Sequence, residues 1–271
     1  MHAYVHGYHE RENERLSDQA FTLADLLHGD TRYAPGERVL EVGCGVGAQT
    51  VFLAAHSPEA EFVSIDVSER SIEQARAAVR ARGLANVQFR SADLMALTAR
   101  DGVYDHAFVC FVLEHLADPL AALRHLAGLV RPGGTVTAIE GDHGSFYCHP
   151  ETAAARRVVQ CLVDLQARCG GDALIGRRLY PLLSEAGYRV RVQPRMVYVD
   201  AGRPDLVEGF SRRTFIAMVE GVRPQALASG LIDESLWDRG IRDLHRATAA
   251  DGTFCYTFFK ALARRPGCAE G

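Results

Sequence analysis

Short apolar runs that end in a polar or acidic residue recur through the first half of the chain, at about Arg38–Val42, Phe62–Asp66, Val87–Ser91, His106–Cys110 and Thr135–Glu140. Runs of this length, too short for helices and rich in Val, Ile and Phe, predict strands buried on both faces. Helical patterns separate them. The clearest is Ser68–Gly83, where Ser68 is placed to cap the first turn and Gly83 to end the helix in the left-handed conformation. Strands alternating with helices predict an α/β fold built on a parallel sheet with crossovers. Upstream, Glu10–His28 carries Leu16, Ala20, Leu23, Ala24 and Leu27 at spacings of three and four, behind an acidic start at Glu10, Glu12 and Glu14. That is an amphipathic helix. Phe21 and Leu26 lie beyond its apolar face, so it docks either on its own sheet or on a neighbouring subunit.

After the fifth strand the pattern changes. His149-Pro150-Glu151 puts a proline in the first turn of a helix that runs through Val158, Leu162 and Leu165 to a stop at Gly170-Gly171. Gly176–Gly187 predicts the helix before strand six, around Arg189–Gln193. Arg203–Glu220 and Glu234–Ala249 predict further helices, and Thr253–Lys260 is aromatic and suited to a last strand. The chain divides accordingly into an N-terminal helical arm or lid (1–35), an α/β core (36–140), a helical cap insertion (141–172), a core helix with strand six (173–193), a second cap insertion (194–251), the final strand (252–263) and a tail (264–271).

The chemistry concentrates where the first strand ends, in Val39-Leu-Glu-Val-Gly-Cys-Gly-Val-Gly-Ala-Gln-Thr50. Gly43, Gly45 and Gly47 lack the Cβ that would obstruct a sharp strand-to-helix turn and the approach of a ligand to its N–H groups. The turn alone leaves two ligand classes open, because Gly43-x-Gly45-x-x-Ala48 also satisfies the dinucleotide pattern. Glu41 narrows the choice. A carboxylate beside the turn repels a pyrophosphate and suits a ligand with cationic or donor groups. Asp66, at the end of the second strand, stands where a ribose-binding carboxylate stands in both kinds of site. The Ala92-Asp93 pair ends the third strand and offers a carboxylate to an adenine amino group.

These motifs, followed by Phe111-Val-Leu-Glu-His-Leu-Ala-Asp-Pro119 and Leu129-Val-Arg-Pro-Gly-Gly-Thr135, resemble a class I S-adenosylmethionine-dependent methyltransferase of the small-molecule, natural-product type over about residues 36–140. The resemblance implies a seven-stranded, mostly parallel sheet in the order 3-2-1-4-5-7-6, its last strand antiparallel. It implies S-adenosyl-L-methionine as cofactor. Glu41 and the Gly43, Gly45 and Gln49 turn would face the methionine part, Asp66 the ribose, and Asp93 with Ala92 the adenine amino group. Val67 and Leu94 would sandwich the adenine. Phe111 and His115 would line the cofactor, with His115 packing under it or orienting its loop, and Tyr8 of the N-terminal arm would lie over the sulfonium.

Methyl transfer needs a nucleophile held in line with the departing sulfur, water excluded, and a general base where the nucleophile carries a proton. Ligands in open α/β sheets bind beyond the carboxyl ends of the strands, which directs attention to the segment after strand five, Glu140-Gly-Asp-His-Gly-Ser-Phe-Tyr-Cys-His149. Read as a loop, it gathers Glu140, Asp142, His143 and His149 and makes His143 or Glu140 the candidate base. The bland alternative is that these residues cap the following helix or line the pocket mouth. The spacing has no reinforcing metal-ligand pattern, and no metal is expected. Phe146, Tyr147, Tyr180, Met196, Tyr198, Phe210, Phe215, Met218 and Trp237 offer the cap an apolar lining, which suits a hydrophobic acceptor.

Composition adds limits. The 271 residues are 48% hydrophobic, enough for one large domain with a cap, and the formal charge of −4 supplies no footprint for nucleic acid. Seven cysteines form no Cys-x-x-Cys pair and are expected to be core thiols. No apolar run reaches spanning length and the start lacks signal-peptide features, so a soluble, cytoplasmic enzyme is expected, with a small-molecule partner, neither nucleic acid nor membrane, and a homo-oligomeric tendency. Its expected function is methyl transfer to an O, N or C nucleophile of a hydrophobic metabolite in bacterial secondary metabolism. The alternatives are an NAD-dependent oxidoreductase and a non-catalytic cofactor-binding module.

Overall fold

A computed structural model describes residues 22–267. Seven strands form one sheet: β1 (Arg38–Val42), β2 (Glu61–Asp66), β3 (Val87–Ser91), β4 (Tyr104–Cys110), β5 (Val130–His149), β6 (Arg189–Val199) and β7 (Thr253–Arg264). Their order is β3-β2-β1-β4-β5-β7-β6, with β7 antiparallel to both neighbours and the remaining pairs parallel. This is the Rossmann-like methyltransferase arrangement that the strand and helix pattern, with the resemblance, led one to expect.

Local chemistry explains most element ends. Helix α1 covers residues 22–28, and the earlier part of the expected Glu10–His28 helix lies outside the described residues. Helix α2 (Ala48–His56) starts directly from the glycine turn. Helix α3 (Glu69–Ala81) is capped by Ser68, whose hydroxyl accepts from the Ser71 N–H, and Gly83 follows at φ +67°. Helix α4 (Pro119–Leu129) has Asp118 as its cap and proline in its first turn.

Helix α5 (Ala153–Arg168) departs from expectation. Pro150 lies outside it, behind a cis His149–Pro150 bond, and the cap is Thr152, whose hydroxyl accepts from the Ala155 N–H. A side-chain oxygen satisfies an open helix donor where proline satisfies none. Helix α6 (Leu179–Glu185) precedes β6. The second helical stretch comprises α7 (Pro204–Leu206), a π-helical segment (Val207–Ile216), α8 (Ala217–Gly221), α9 (Arg223–Ala228) and α10 (Glu234–Arg246).

Two apolar layers hold the sheet. On one face, Leu23 and Leu27 of α1, Leu53 of α2, α5 and the cap side chains Phe210, Phe215 and Trp237 bury Val39, Phe108, Ile139 and Phe258. On the other, α4 and α6 cover Leu40, Val109, Val136 and Ala261. Lys260, the single lysine of the chain, anchors the end of α1: its ammonium donates to the Leu27 carbonyl at 3.0 Å, Asp30 at 2.6 Å and Thr31 at 2.6 Å. Gly209 lies so close to Thr22 that a Cβ there would come within 2.4 Å of its hydroxyl, which sets the start of α1 against the cap.

The expected loop after the fifth strand is strand. β5 continues to His149, paired with β7 through Asp142, then across a bulge from Tyr147 to His149. Gly141, Asp142 and Gly144 read as turn residues in isolation, but the aromatic run of β7 provides a ladder on both sides of the bulge and overrides local preference. β6 likewise runs past Gln193 to Val199. β5, β7 and β6 therefore project beyond the carboxyl ends of β1 and β4 as a three-stranded tongue, on which the cap helices pack. The described cysteines are free, and all but Cys169 are buried.

Candidate active site at the carboxyl ends of the strands

Each glycine of the turn has its own reason. All three take left-handed φ values, +68° at Gly43, +52° at Gly45 and +81° at Gly47, which disfavour any side chain. A Cβ on Gly43 would meet Val112 at 2.5 Å, and one on Gly47 would meet Ala75 of α3 at 2.8 Å. Gly45 has nothing within 4 Å of that position and faces open space. Two glycines thus let neighbouring elements close in, while the middle one leaves backbone open to a ligand.

Two carboxylates govern the electrostatics of this turn. Glu41 is buried beneath it, and its Oε2 accepts from Thr50 at 2.8 Å and Ser64 at 2.6 Å. Burial pushes its carboxyl up to about 7, with Asp66 adding to the rise and the two hydroxyl bonds opposing it. Asp66 accepts from the Gly45 N–H through Oδ2 and from the Ser68 N–H through Oδ1, both at 2.9 Å. The N–H at the open glycine is therefore already taken by a negative group.

The next two strand ends, of β2 and β3, lie beside the turn. Val67 directly follows Asp66 and is 66% exposed, uncommon for an apolar side chain beside a polar site, whereas Leu94 is buried. Ala92 donates its N–H to the Asp66 carbonyl at 3.0 Å, which ties the ends of β2 and β3 together. Asp93 caps the turn Leu94–Ala96 by accepting from the Met95 N–H and is otherwise exposed. Gln49 sits in the first turn of α2, half-buried beside Thr50.

Beyond β4 the chain turns through Phe111, a non-glycine residue at φ +57°. Such a conformation costs on the order of 1–3 kcal/mol and persists where the surroundings enforce it. Here the Phe111 N–H bonds to the Ile139 carbonyl and its ring lies 5.6 Å from that of Phe258. The turn aims the Val112 and Leu113 N–H groups at Glu140, whose Oε1 accepts both, at 3.0 and 2.8 Å. Glu140 is fully buried, and burial together with Glu114 holds its carboxyl well above the usual range. His115 ends the short turn Leu113–His115, with Nε2 3.6 Å from Glu114. Glu114 in turn accepts from Gln166 of α5 at 2.9 Å, so the cap helix grips this loop.

The four polar residues Glu140, Asp142, His143 and His149 do not form one cluster, and the reason is the strand. Side chains alternate between faces, so Glu140 and Asp142 share one side and His143 takes the other. Asp142 is buried and clamped by Arg177 through two bonds, at 2.7 and 2.8 Å. His143 is buried too, and its Nδ1 is 2.7 Å from the Tyr256 hydroxyl. His149 lies exposed at the far end of the strand. The apolar lining also sorts differently from expectation. Phe146, Phe210 and Phe215 join Phe254, Tyr256 and Phe258 in a continuous ring cluster around His143. Tyr147, Tyr180, Met196 and Tyr198 are about half exposed, away from it, and Trp237 is buried among the cap helices. Tyr8 lies outside the described residues.

Sequence reasoning missed Thr50, Ser64, Gln166, Arg177 and Tyr256. Ser64, a hydroxyl in the middle of an apolar strand, was a usable signal for the support of Glu41. Tyr256 sits in an aromatic run that reads as core and offers no such signal.

A family model described as a methyltransferase domain matches residues 39–134. The 27-O-demethylrifamycin SV methyltransferase of Amycolatopsis mediterranei is 32% identical over 230 residues, covering 82% of this chain and 76% of that protein. A 37.1 kDa protein in transposon TN4556 of Streptomyces fradiae is 37% identical over 199 residues, covering 72% of this chain and 56% of that protein. The chain spans about half, or less, of the length of several curated relatives that it matches. Among solved structures, the YcgJ protein of Bacillus subtilis matches with a TM-score of 0.57 at 15% identity, over 94% of this chain and 99% of that one, a likeness of fold alone. A glycine turn with carboxylates below and beside it, the seven-stranded sheet and a named relative matched over most of its length lead to one statement: the chain belongs to the class I S-adenosylmethionine-dependent methyltransferase family.

Proposed function

We propose that this protein transfers the methyl group of S-adenosylmethionine to an oxygen, nitrogen or carbon nucleophile of a small hydrophobic metabolite, in bacterial secondary metabolism. The observation that carries the cofactor half is the pair of carboxylates at the glycine turn. Glu41 lies buried beneath it and Asp66 occupies the Gly45 N–H. A pyrophosphate would lose that donor and meet the negative charge of Asp66, whereas a cofactor bearing an ammonium and a sulfonium gains from Asp66 and favours the ionised form of Glu41. The named Amycolatopsis relative, by its name a 27-O-demethylrifamycin SV methyltransferase, supports the small-molecule half.

The residues fit the cofactor part by part. Glu41 attracts the ammonium end, with Gln49 beside it, and the open backbone at Gly45 lets the methionine chain lie close. Asp66 has lone pairs left for ribose hydroxyls, and Asp93 for the adenine amino group. Val67 and Leu94 wall the adenine, which accounts for an apolar side chain as exposed as Val67. When bound, the cofactor supplies an electrophilic methyl carbon. The remaining work is positioning and exclusion of water. Phe111, Phe210, Phe215 and Phe258 provide an apolar wall, and His143 is the polar group set into it. Glu140 acts as a positioning residue, fixing the loop that carries His115 against the site through two main-chain bonds.

The test is transfer of label. The full chain, incubated with methyl-labelled S-adenosylmethionine and a small-molecule extract of the cell that makes it, is expected to label an organic-soluble compound. Label that stays in the cofactor, or passes only to protein or nucleic acid, would contradict the reading.

A further inference from the structure

His28, the last residue of α1, is 1% exposed and packs against Phe108 of β4, with 5.7 Å between the ring centroids. Leu27 beside it, Leu53 of α2 and Phe108 belong to one apolar cluster, so the imidazole sits at the junction of α1, α2 and the sheet. Burial above all holds it neutral, by pushing its ionisation down to about 4. A neutral imidazole carries one N–H and one accepting nitrogen, yet neither ring nitrogen has a partner of regular hydrogen-bond geometry among the described residues. Lys260, Asp30 and His56 act on the ring through their charge, whereas the carboxamide of Gln49, in the first turn of α2, comes within bonding reach of it. Gln49 has the matching deficit. The residue is half-buried, but its Oε1 is shut off from solvent and also lacks a partner of regular geometry. A buried donor and a buried acceptor are costly unpaired and satisfy one another when paired. Gln49 also makes the ring more basic, as an accepting oxygen does and a donating amide nitrogen would not.

We propose that His28 is a positioning residue: its ring N–H donates to Gln49 Oε1 and turns the amide so that Gln49 presents N–H donors to the carboxylate of the cofactor's methionine part. This rests on the reading that Gln49 faces that part. The oxygen and nitrogen of an amide lie on opposite sides of its carbon, so an oxygen held against His28 sends the nitrogen away from the ring. Gln49 stands four residues beyond Gly45 and next to Thr50, whose hydroxyl bonds to Glu41. The amino-acid end of the cofactor is thereby divided between two side chains, its ammonium to Glu41 and its carboxylate to Gln49. Without the ring N–H the amide is free to turn over, and an amide oxygen facing a carboxylate repels it. His28 thus acts at a distance from the ligand, by fixing which face of an uncharged amide the ligand meets.

The experiment is calorimetry of the full chain with two probes, S-adenosylhomocysteine and its decarboxylated analogue, which keeps the amine and lacks only the carboxylate. The ratio of their affinities reads the carboxylate contact and is not moved by a general loosening of the fold. Gln49→Leu is expected to lower this preference about tenfold or more, the weight of a hydrogen bond to a charged group. His28→Phe, which keeps a ring and removes both nitrogens, is expected to lower it about two- to tenfold, the weight of a neutral hydrogen bond. It should leave the affinity for the decarboxylated probe unchanged and add nothing in a protein that already carries Gln49→Leu. If Gln49→Leu lowers the preference while His28→Phe leaves it intact, or weakens both probes equally, the role of His28 is overturned and the reading of Gln49 stands. An unchanged preference in Gln49→Leu overturns that reading, and the role of His28 with it. Nitrogen NMR with labelled histidine needs no substitution at His28. In the protein saturated with S-adenosylhomocysteine, the His28 ring, assigned through its contact with Phe108, should show one N–H whose signal shifts in Gln49→Leu. A signal that stays in place overturns the bond.

Discussion

Two buried titrating side chains, Glu41 and His28, work in opposite directions with pH, and substitution separates them. Glu41 has its carboxyl raised from 4.5 to about 7, so the folded protein binds more protons than the unfolded chain between those values. The associated stabilisation is complete below pH 4.5 and is lost as pH rises through 7. His28, buried against Phe108 and beside Lys260, is lowered from 6.5 to about 4, chiefly by burial. Its contribution is complete above 6.5 and is lost as pH falls through 4. Each shift corresponds to about 3 kcal/mol. In Glu41→Gln the stability relative to wild type, read by denaturant unfolding, should improve steadily from pH 4.5 to 7. In His28→Phe it should improve as pH falls from 6.5 to 4. A pH-independent difference in either variant would show that the environment of that side chain is misjudged. Asp66→Ala removes the partner of the Gly45 N–H as well as the proposed ribose contact. Its affinity for S-adenosylhomocysteine should drop by about ten- to a hundredfold, the weight of a charged hydrogen bond or two.

At the scale of elements, the loop after β4 and the pairing of α10 with α5 give sharp expectations. Glu140→Ala leaves the Val112 and Leu113 N–H groups without their acceptor, whereas Glu140→Gln keeps an amide oxygen there. Hydrogen exchange at those two amides should speed up markedly in the alanine variant and little in the glutamine variant; equal rates in both would remove the positioning role. Gly240 sits in the middle of α10, where alanine ordinarily adds up to about 1 kcal/mol of helix stability. Here its Cβ would come within 2.5 Å of the Ala154 carbonyl on α5. Overpacking of about 1–3 kcal/mol should win, and Gly240→Ala should lower the unfolding midpoint. The same scale shows what a sequence reveals. The glycine turn, Ser68 with Gly83, and the alternation of strands and helices act within a few residues and could be read directly. The extension of β5 could not, because Gly141, Asp142 and Gly144 are turn residues by local preference and become strand only through β7, which is more than a hundred residues away. The split of Glu140, Asp142 and His143 between two faces, and the contact between Tyr256 and His143, follow from that one long-range pairing.

For the whole molecule, the sheet order was legible because a run of parallel strands with crossovers admits few arrangements, and the motif order selected one. The cap was less legible. Its π-helical segment, Val207–Ile216, and its packing on the β5–β7–β6 tongue depend on contacts that no local pattern announces. Among the described residues no helix is long and apolar enough to cross a membrane. The central claim concerns the ligand of the glycine turn, and calorimetry on the full chain tests it most directly, titrating S-adenosylhomocysteine and NADH in parallel. The account predicts saturable binding of S-adenosylhomocysteine, weakened in Asp66→Ala, and no binding of NADH. Binding of the dinucleotide with none of the homocysteine compound would contradict it.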